Sequence, residues 1–335
     1  MFGKLWSRIK ALATRAFRRE PTPGRFESGS KFSIHGIVGT APLVWPSRDY
    51  LVYIPRGRSL WRRAPLLVLC HGCKQTPEEI AQGTRVTELA DRLGFVVLLP
   101  RQKDAANPWR CWNWFDKRTM NGKGEAAIVA AQIRSVRRAY RIDRRRVVVA
   151  GMSAGGALAA VLGVRFPWLV SAVAVHSGIA CGAASSAMAA LAVAQHGPDQ
   201  DVEQLANAVR AAAAPLALRV PLLAVHGGAD NIVGPRNAVA LVRQYLCLNG
   251  HPAASANTDR TRLPPADTER RTELASGRTQ VVSEWRREGR LVARHIEITG
   301  LGHAWSGGDP ALEYNDAGPP DATALVGDFF GDALS

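Results

Sequence analysis

Gly151-Met152-Ser153-Ala154-Gly155-Gly156 stands where an apolar strand pattern, Arg146-Val147-Val148-Val149-Ala150, gives way to an alanine- and leucine-rich helical pattern over 154–166. A serine at that corner has the surroundings of a nucleophile. Small residues on both sides let the chain form a sharp elbow that lifts a hydroxyl above a sheet, and the helix that follows aims free N–H groups at developing negative charge. Gly-x-Ser-x-Gly also occurs in ordinary glycine-rich turns, so the rest of the chain has to supply partners for the serine.

Outward from this corner, short apolar runs bounded by turn residues alternate with helical patterns. Strands are expected at 51–54, 66–70, 95–99, 147–150, 170–175, 222–226 and 294–299, and helices over 77–93, 125–140, 154–166, 237–248 and 321–330. This rhythm predicts an α/β fold with a mostly parallel central sheet flanked by crossover helices. Residues 281–285 and 291–298, joined through Glu288-Gly289, read as a hairpin entering the last strand. Two stretches depart from the rhythm: 181–218 is alanine-rich and helical, either a cap or an enlarged crossover, and 254–277 is a polar, aperiodic surface insertion.

The 335 residues, 47% apolar, suffice for one large core. The domain reading is a basic amphipathic extension and linker at 1–30, then a catalytic domain at 31–335. In the extension, Leu5, Ile9, Leu12 and Ala16 form one stripe of a helix over 2–19 whose other faces are basic. Two readings of it stand: contact with a granule or membrane surface, or a packed extension. The formal charge of +15 would draw anionic partners. Its arginine pairs carry no aromatic interleaving and no nucleic-acid motif, which argues against nucleic acid as a partner. Five cysteines, with no paired Cys-x-x-Cys spacing beyond Cys70 and Cys73, argue against a metal site. No apolar run is long enough to span a bilayer, and no standard secretory signal is evident.

A nucleophilic Ser153 needs an imidazole to take its proton and a carboxylate to orient that imidazole, and in this architecture the chain order is serine, acid, histidine. Beyond Ser153 lie His176, His196, His226, His251, His295 and His303. His295 alternates with apolar residues inside the last strand and His251 follows a helix end. His303, in Gly300-Leu301-Gly302-His303-Ala304-Trp305 just past that strand, is the expected base. Asp230 follows the strand at 222–226 through Gly227-Gly228-Ala229 and is the expected acid, although it could equally cap the next helix; Asp309, Asp316 and Asp321 come too late. The N–H of Ala154 and that of Cys73, in the loop after the strand at 66–70, are the expected oxyanion donors.

His71-Gly72-Cys73-Lys74-Gln75-Thr76, Cys111-Trp112-Asn113-Trp114-Phe115, the Ser153 elbow, His226-Gly227-Gly228-Ala229-Asp230 and Gly302-His303-Ala304-Trp305-Ser306-Gly307-Gly308 together resemble the blocks of the polyhydroxybutyrate (PHB) depolymerase-like esterases of the α/β-hydrolase superfamily, in that family's order. The resemblance runs over roughly 32–331. It implies a serine esterase that forms an acyl-enzyme on Ser153, acts on poly- or oligo(3-hydroxybutyrate) or related hydroxyalkanoate esters, and needs no metal or organic cofactor. It also implies a disulfide between Cys73 and Cys111 and an acyl-binding wall of Trp112, Trp114 and Trp305, packed core aromatics being the alternative reading of those three. Feruloyl or acetylxylan-type carbohydrate esterase is the alternative within the class. Outside it stands a basic granule- or surface-binding protein on the same scaffold. The family is commonly extracellular, whereas the N-terminal reading points to retention in the cell, so location stays open.

Overall fold

A computed structural model describes residues 23–32, 46–59, 61–211, 219–255, 259 and 261–334. The helix expected over 2–19 lies outside the described residues. In chain order the first half contains β1 (Arg25–Phe32), β2 (Ser47–Ile54), β3 (Ala64–Cys70), α1 (Pro77–Gly83), α2 (Val86–Leu93), β4 (Val96–Pro100), α3 (Lys117–Met120), α4 (Gly124–Ala139) and β5 (Ile142–Met152). The second half contains α5 (Ala154–Arg165), β6 (Ala172–His176), α6 (Ala187–His196), α7 (Val202–Ala211), β7 (Leu222–Gly227), α8 (Arg236–Leu248), β8 (Thr268–Glu273), β9 (Thr279–Arg287), β10 (Arg290–Ile298), the short pair β11 (Trp305–Ser306) and β12 (Asn315–Asp316), and α9 (Ala322–Leu334).

Ten strands form one sheet in the order β1-β2-β4-β3-β5-β6-β7-β10-β9-β8. The run from β4 to β10 is parallel throughout, and the two flanks are antiparallel. The central strands are continuous apolar runs because both faces are covered. Leu66, Val68, Val147, Val149, Val173 and Val175 pack beneath α4, α5 and α8. Their neighbours Leu67, Leu69, Val148, Ala150, Ala172 and Ala174 pack on the other face against α1, α2 and α9. Alternation along each strand therefore assigns successive side chains to opposite layers.

Three expectations change. The sheet starts at Arg25, inside the stretch read as extension, because β1 pairs residue for residue with β2. The helix expected over 77–93 is two helices. Thr84 turns its hydroxyl back onto the Ile80 carbonyl, Arg85 adopts φ 54°, and Thr323 bonds to the Thr84 carbonyl, so contacts with the C-terminal segment set the break. The insertion expected over 254–277 contains β8, an exposed edge strand on β9 whose sequence, Thr-Glu-Arg-Arg-Thr-Glu, has no apolar face to betray it. Charge on such an edge also guards against unwanted strand pairing. Residues 181–211 resolve as α6 and α7, and the hairpin at Glu288-Gly289 turns with φ 53° and 76°, the left-handed pair such a turn requires.

Candidate active site

β5 delivers Ser153 at the carboxyl edge of the sheet with φ 56° and ψ −123°, a conformation that few non-glycine residues hold. The elbow exists because its neighbours are glycines. A Cβ on Gly151 would lie 2.4 Å from the Gly155 carbonyl group, and one on Gly155 would lie 2.2 Å from the Cys70 carbonyl oxygen. Ser153 N–H donates to the His176 carbonyl at 3.0 Å, tying the elbow to β6. The first-turn N–H groups of α5, starting with Ala154, find no carbonyl partner among the described residues, as at any helix start.

Asp230 follows β7 and His303 follows β10, so both loops open at the same edge as Ser153. His303 Nδ1 lies 2.8 Å from Asp230 Oδ2. The other oxygen, Oδ1, accepts the N–H groups of Ile232 and Val233 at 3.0 and 2.8 Å. Asp230 thus closes its own turn rather than capping α8, whose first turn has no side-chain cap. Burial would raise this carboxyl, but the bond to His303 and those from the backbone outweigh it and hold the pKa at about 2. An ionised Asp230 keeps the proton of His303 on Nδ1 and leaves Nε2 free to accept one. Among the described residues no hydrogen bond joins Ser153 Oγ to His303, whose Nδ1 is held by Asp230. Such contacts are often long until substrate binds.

Across the elbow runs the loop after β3. Gly72 N–H donates to Gln75 Oε1 at 2.8 Å, and Lys74 N–H to the Trp109 carbonyl at 2.6 Å. The N–H between them, on Cys73, keeps no acceptor among the described residues, and a Cβ on Gly72 would sit 3.5 Å from that of Ser153. Cys73 and Cys111 form the disulfide that the resemblance implied, closing 38 residues of sequence separation. The bond pins the Cys73 loop to the tryptophan-bearing segment. We predict that Cys111→Ser lowers stability by roughly 2–4 kcal/mol, read as a shift in urea midpoint, and that intact mass before and after reduction changes by one disulfide.

A family profile described as Esterase PHB depolymerase matches residues 48–263. The chain belongs to this esterase PHB depolymerase family. It is 29% identical to feruloyl esterase B of Neurospora crassa over 201 residues, 58% of this chain and 67% of that one. It is 27% identical to poly(3-hydroxyalkanoate) depolymerase C of Paucimonas lemoignei over 200 residues, 59% of this chain and 48% of that one. With acetylxylan esterase A of Emericella nidulans it shares 26% over 167 residues, 49% of this chain and 50% of the other. The chain therefore spans only about half the length of the last two. Among solved structures, an acetyl xylan esterase from Aspergillus awamori superposes with a TM-score of 0.69 at 18% identity, covering 93% of this chain and all of the other, and so shares the fold. The fold is that of the α/β-hydrolases, and the family is one of carboxylic ester hydrolases.

Within this esterase the three tryptophans are buried, as the packed reading of them expects. Trp112 is fully buried and donates its indole N–H to the His71 carbonyl at 3.1 Å. Trp305 donates to Thr323 Oγ1 and stacks on His176 at 5.0 Å, and Trp114 is only 5% exposed, edge-on to Phe115. A large indole is most stable where its ring is dry and its N–H paired. These rings support the loops that carry the site.

Sequence reading missed what lies beneath those loops. Arg48 and Glu125 form a wholly buried ion pair at 3.1 Å. Glu125 also accepts Asn113 N–H at 2.7 Å, Asn113 Nδ2 at 3.0 Å and Gln102 Nε2 at 2.6 Å, while Gln102 donates to the Cys111 carbonyl at 2.9 Å and, through its own N–H, to His71 Nε2 at 3.1 Å. Burial drives the His71 pKa down to about 4, so it serves as a neutral strut. The signal in the chain was Glu125 with Gln132, two polar residues seven apart on the buried, otherwise apolar face of α4. Glu125→Ala is expected to cost about 3–5 kcal/mol, since it strands the Arg48 charge. Urea unfolding of that variant, with Glu125→Leu/Arg48→Met as a partner that removes both charges and recovers part of the loss, checks this.

Proposed function

We propose that Ser153, Asp230 and His303 form a catalytic triad and that the protein hydrolyses hydroxyalkanoate esters. Ser153 Oγ attacks the ester carbonyl as His303 Nε2 takes its proton, and the oxyanion draws on the N–H groups of Ala154 and Cys73. His303 then protonates the departing alcohol, and water, activated by the same imidazole, releases the acid and regenerates the serine. Asp230 holds the imidazole's tautomer and balances its transient charge. The carrying observation is the 2.8 Å contact of His303 Nδ1 with an ionised Asp230, at the edge where the strained Ser153 stands.

The family and the depolymerase relative support a hydroxyalkanoate acyl group, and the feruloyl and acetylxylan esterases support a carbohydrate ester as second reading. As part of the proposal, residues 2–19 seat the enzyme on a granule surface. The test is a panel of 3-hydroxybutyrate oligomers, feruloylated sugars, acetylated xylan and short aryl esters, run with wild type and Ser153→Ala. Amorphous granules are included, assayed with the full chain and with a chain lacking residues 1–20. Preference for the oligomers supports the first reading, preference for sugar esters the second, and no hydrolysis of any ester overturns both.

A further inference from the structure

The amino edge of the sheet, opposite Ser153, carries a cleft of about 410 Å³ whose lining is dominated by arginine. Arg134, Arg137 and Arg138 project from the last turns of α4, at the spacing that stacks side chains on one helix face. Arg63 precedes β3, and Arg141 and Arg144 flank the start of β5. Among the described residues no carboxylate lines the cleft. Asp143, which lies in sequence among these arginines, turns to its own backbone and accepts Arg145 N–H at 3.0 Å. Elsewhere, arginines such as Arg48, Arg101, Arg278 and Arg294 are matched with carboxylates.

Six guanidinium groups gathered without a counter-charge repel one another. Burial, and then the neighbouring arginines, lower the pKa of Arg134 and Arg137. Arg141 adds backbone strain: it follows the α4 cap with φ 48°, the position after a helix where glycine is usual and a side chain is disfavoured. A helix C-terminus favours some positive charge, but one or two side chains satisfy it. Trp168 stands in the same lining, 67% exposed, with its neighbour Phe166 edge-on at 5.6 Å. An exposed indole beside a nest of guanidinium forks matches a ligand with a flat ring at one end and several anionic oxygens at the other.

We propose that this cleft binds an organic polyphosphate, its phosphates held by the arginines and its ring stacked on Trp168. Phosphates fit better than a single carboxylate, because several forks converge on one concave space and a polyphosphate offers three outward oxygens on its terminal group and two on each internal one. The volume is that of a small-molecule pocket rather than a flat membrane-docking face. Ligand here leaves the ester site free: the eleven residues of β5 separate the two edges by roughly 35 Å.

Calorimetric titration in 0.15 M salt tests this, with ATP as the organic polyphosphate, tripolyphosphate and adenosine as its halves, and phosphatidylglycerol vesicles as the lipid source of the same phosphate chemistry. One ATP per chain is expected, with weaker tripolyphosphate and no adenosine. Arg134→Gln/Arg137→Gln should weaken ATP at least tenfold. Trp168→Ala should bring ATP to the affinity of tripolyphosphate and leave tripolyphosphate unchanged; its exposed position keeps it usable if the arginine pair misfolds. Arg270→Gln/Arg271→Gln, on the exposed strand β8, should change nothing. The proposal is overturned by no binding, by more than one ATP per chain, by equal losses in the two arginine pairs, or by binding confined to vesicles.

Discussion

Ser153→Ala is expected to lower ester turnover by on the order of a million-fold with the fold intact. The substitution removes one oxygen and keeps the Cβ, so the backbone at φ 56° is no more strained than before, and the Ser153 N–H bond to the His176 carbonyl is untouched. What disappears is the atom that, in the proposed mechanism, forms the acyl-enzyme. In that variant the imidazole has no nucleophile to activate other than water. With the Ala154 and Cys73 N–H groups as the proposed oxyanion donors left in place, a residual rate on the order of a thousand-fold above the uncatalysed reaction should remain. Stopped assays of acid release from a short aryl ester, beside thermal melts of both proteins, separate chemistry from folding. A loss smaller than about a hundred-fold would place the nucleophile elsewhere.

Asp230→Asn should cost on the order of ten-thousand-fold in turnover, the scale seen when the same change is made in a serine protease triad. Asparagine can still accept the N–H groups of Ile232 and Val233 through its carbonyl oxygen, so the turn after β7 closes. It then presents an NH₂ to His303 Nδ1, which forces the ring proton onto Nε2, the atom that must accept from Ser153. The same substitution has a signature in acid. The Asp230 carboxyl titrates at about 2 in the folded protein against 3.8 for the unperturbed group, so its contribution to stability is complete above about pH 4 and is lost as pH falls toward 2. Wild type should lose stability through that window more steeply than Asp230→Asn, as thermal melts between pH 2 and 5 would show. Equal slopes, or an Asn variant that retains a tenth of the turnover, would remove Asp230 from the triad.

Much of the frame was legible in the chain. The apolar runs of β3, β5, β6 and β7 could only be strands covered on both faces, and the intervening helical patterns made the sheet parallel. Chain order pointed to Asp230 and His303 as a pair before any distance was known. Less legible were elements without their own hydrophobic pattern. β8 exists because β9 offers it an edge, and the break between α1 and α2 exists because Thr323 and the C-terminal segment hold Thr84. The tryptophans left two readings open for a related reason: a sequence shows how large and apolar an indole is, but not which side of a loop faces water.

Sequence alone determined the layer architecture, the serine elbow and the order of acid and histidine, because these follow from local periodicity, glycine spacing and the connectivity of a parallel sheet. Tertiary structure decided the rest. The contact of Asp230 with His303, the buried Arg48–Glu125 pair under the Cys111 loop and the meeting of Arg63 with the arginines of 134–144 at one cleft join residues far apart in the chain, and their energies depend on distance and desolvation, quantities that come into being only when the elements pack.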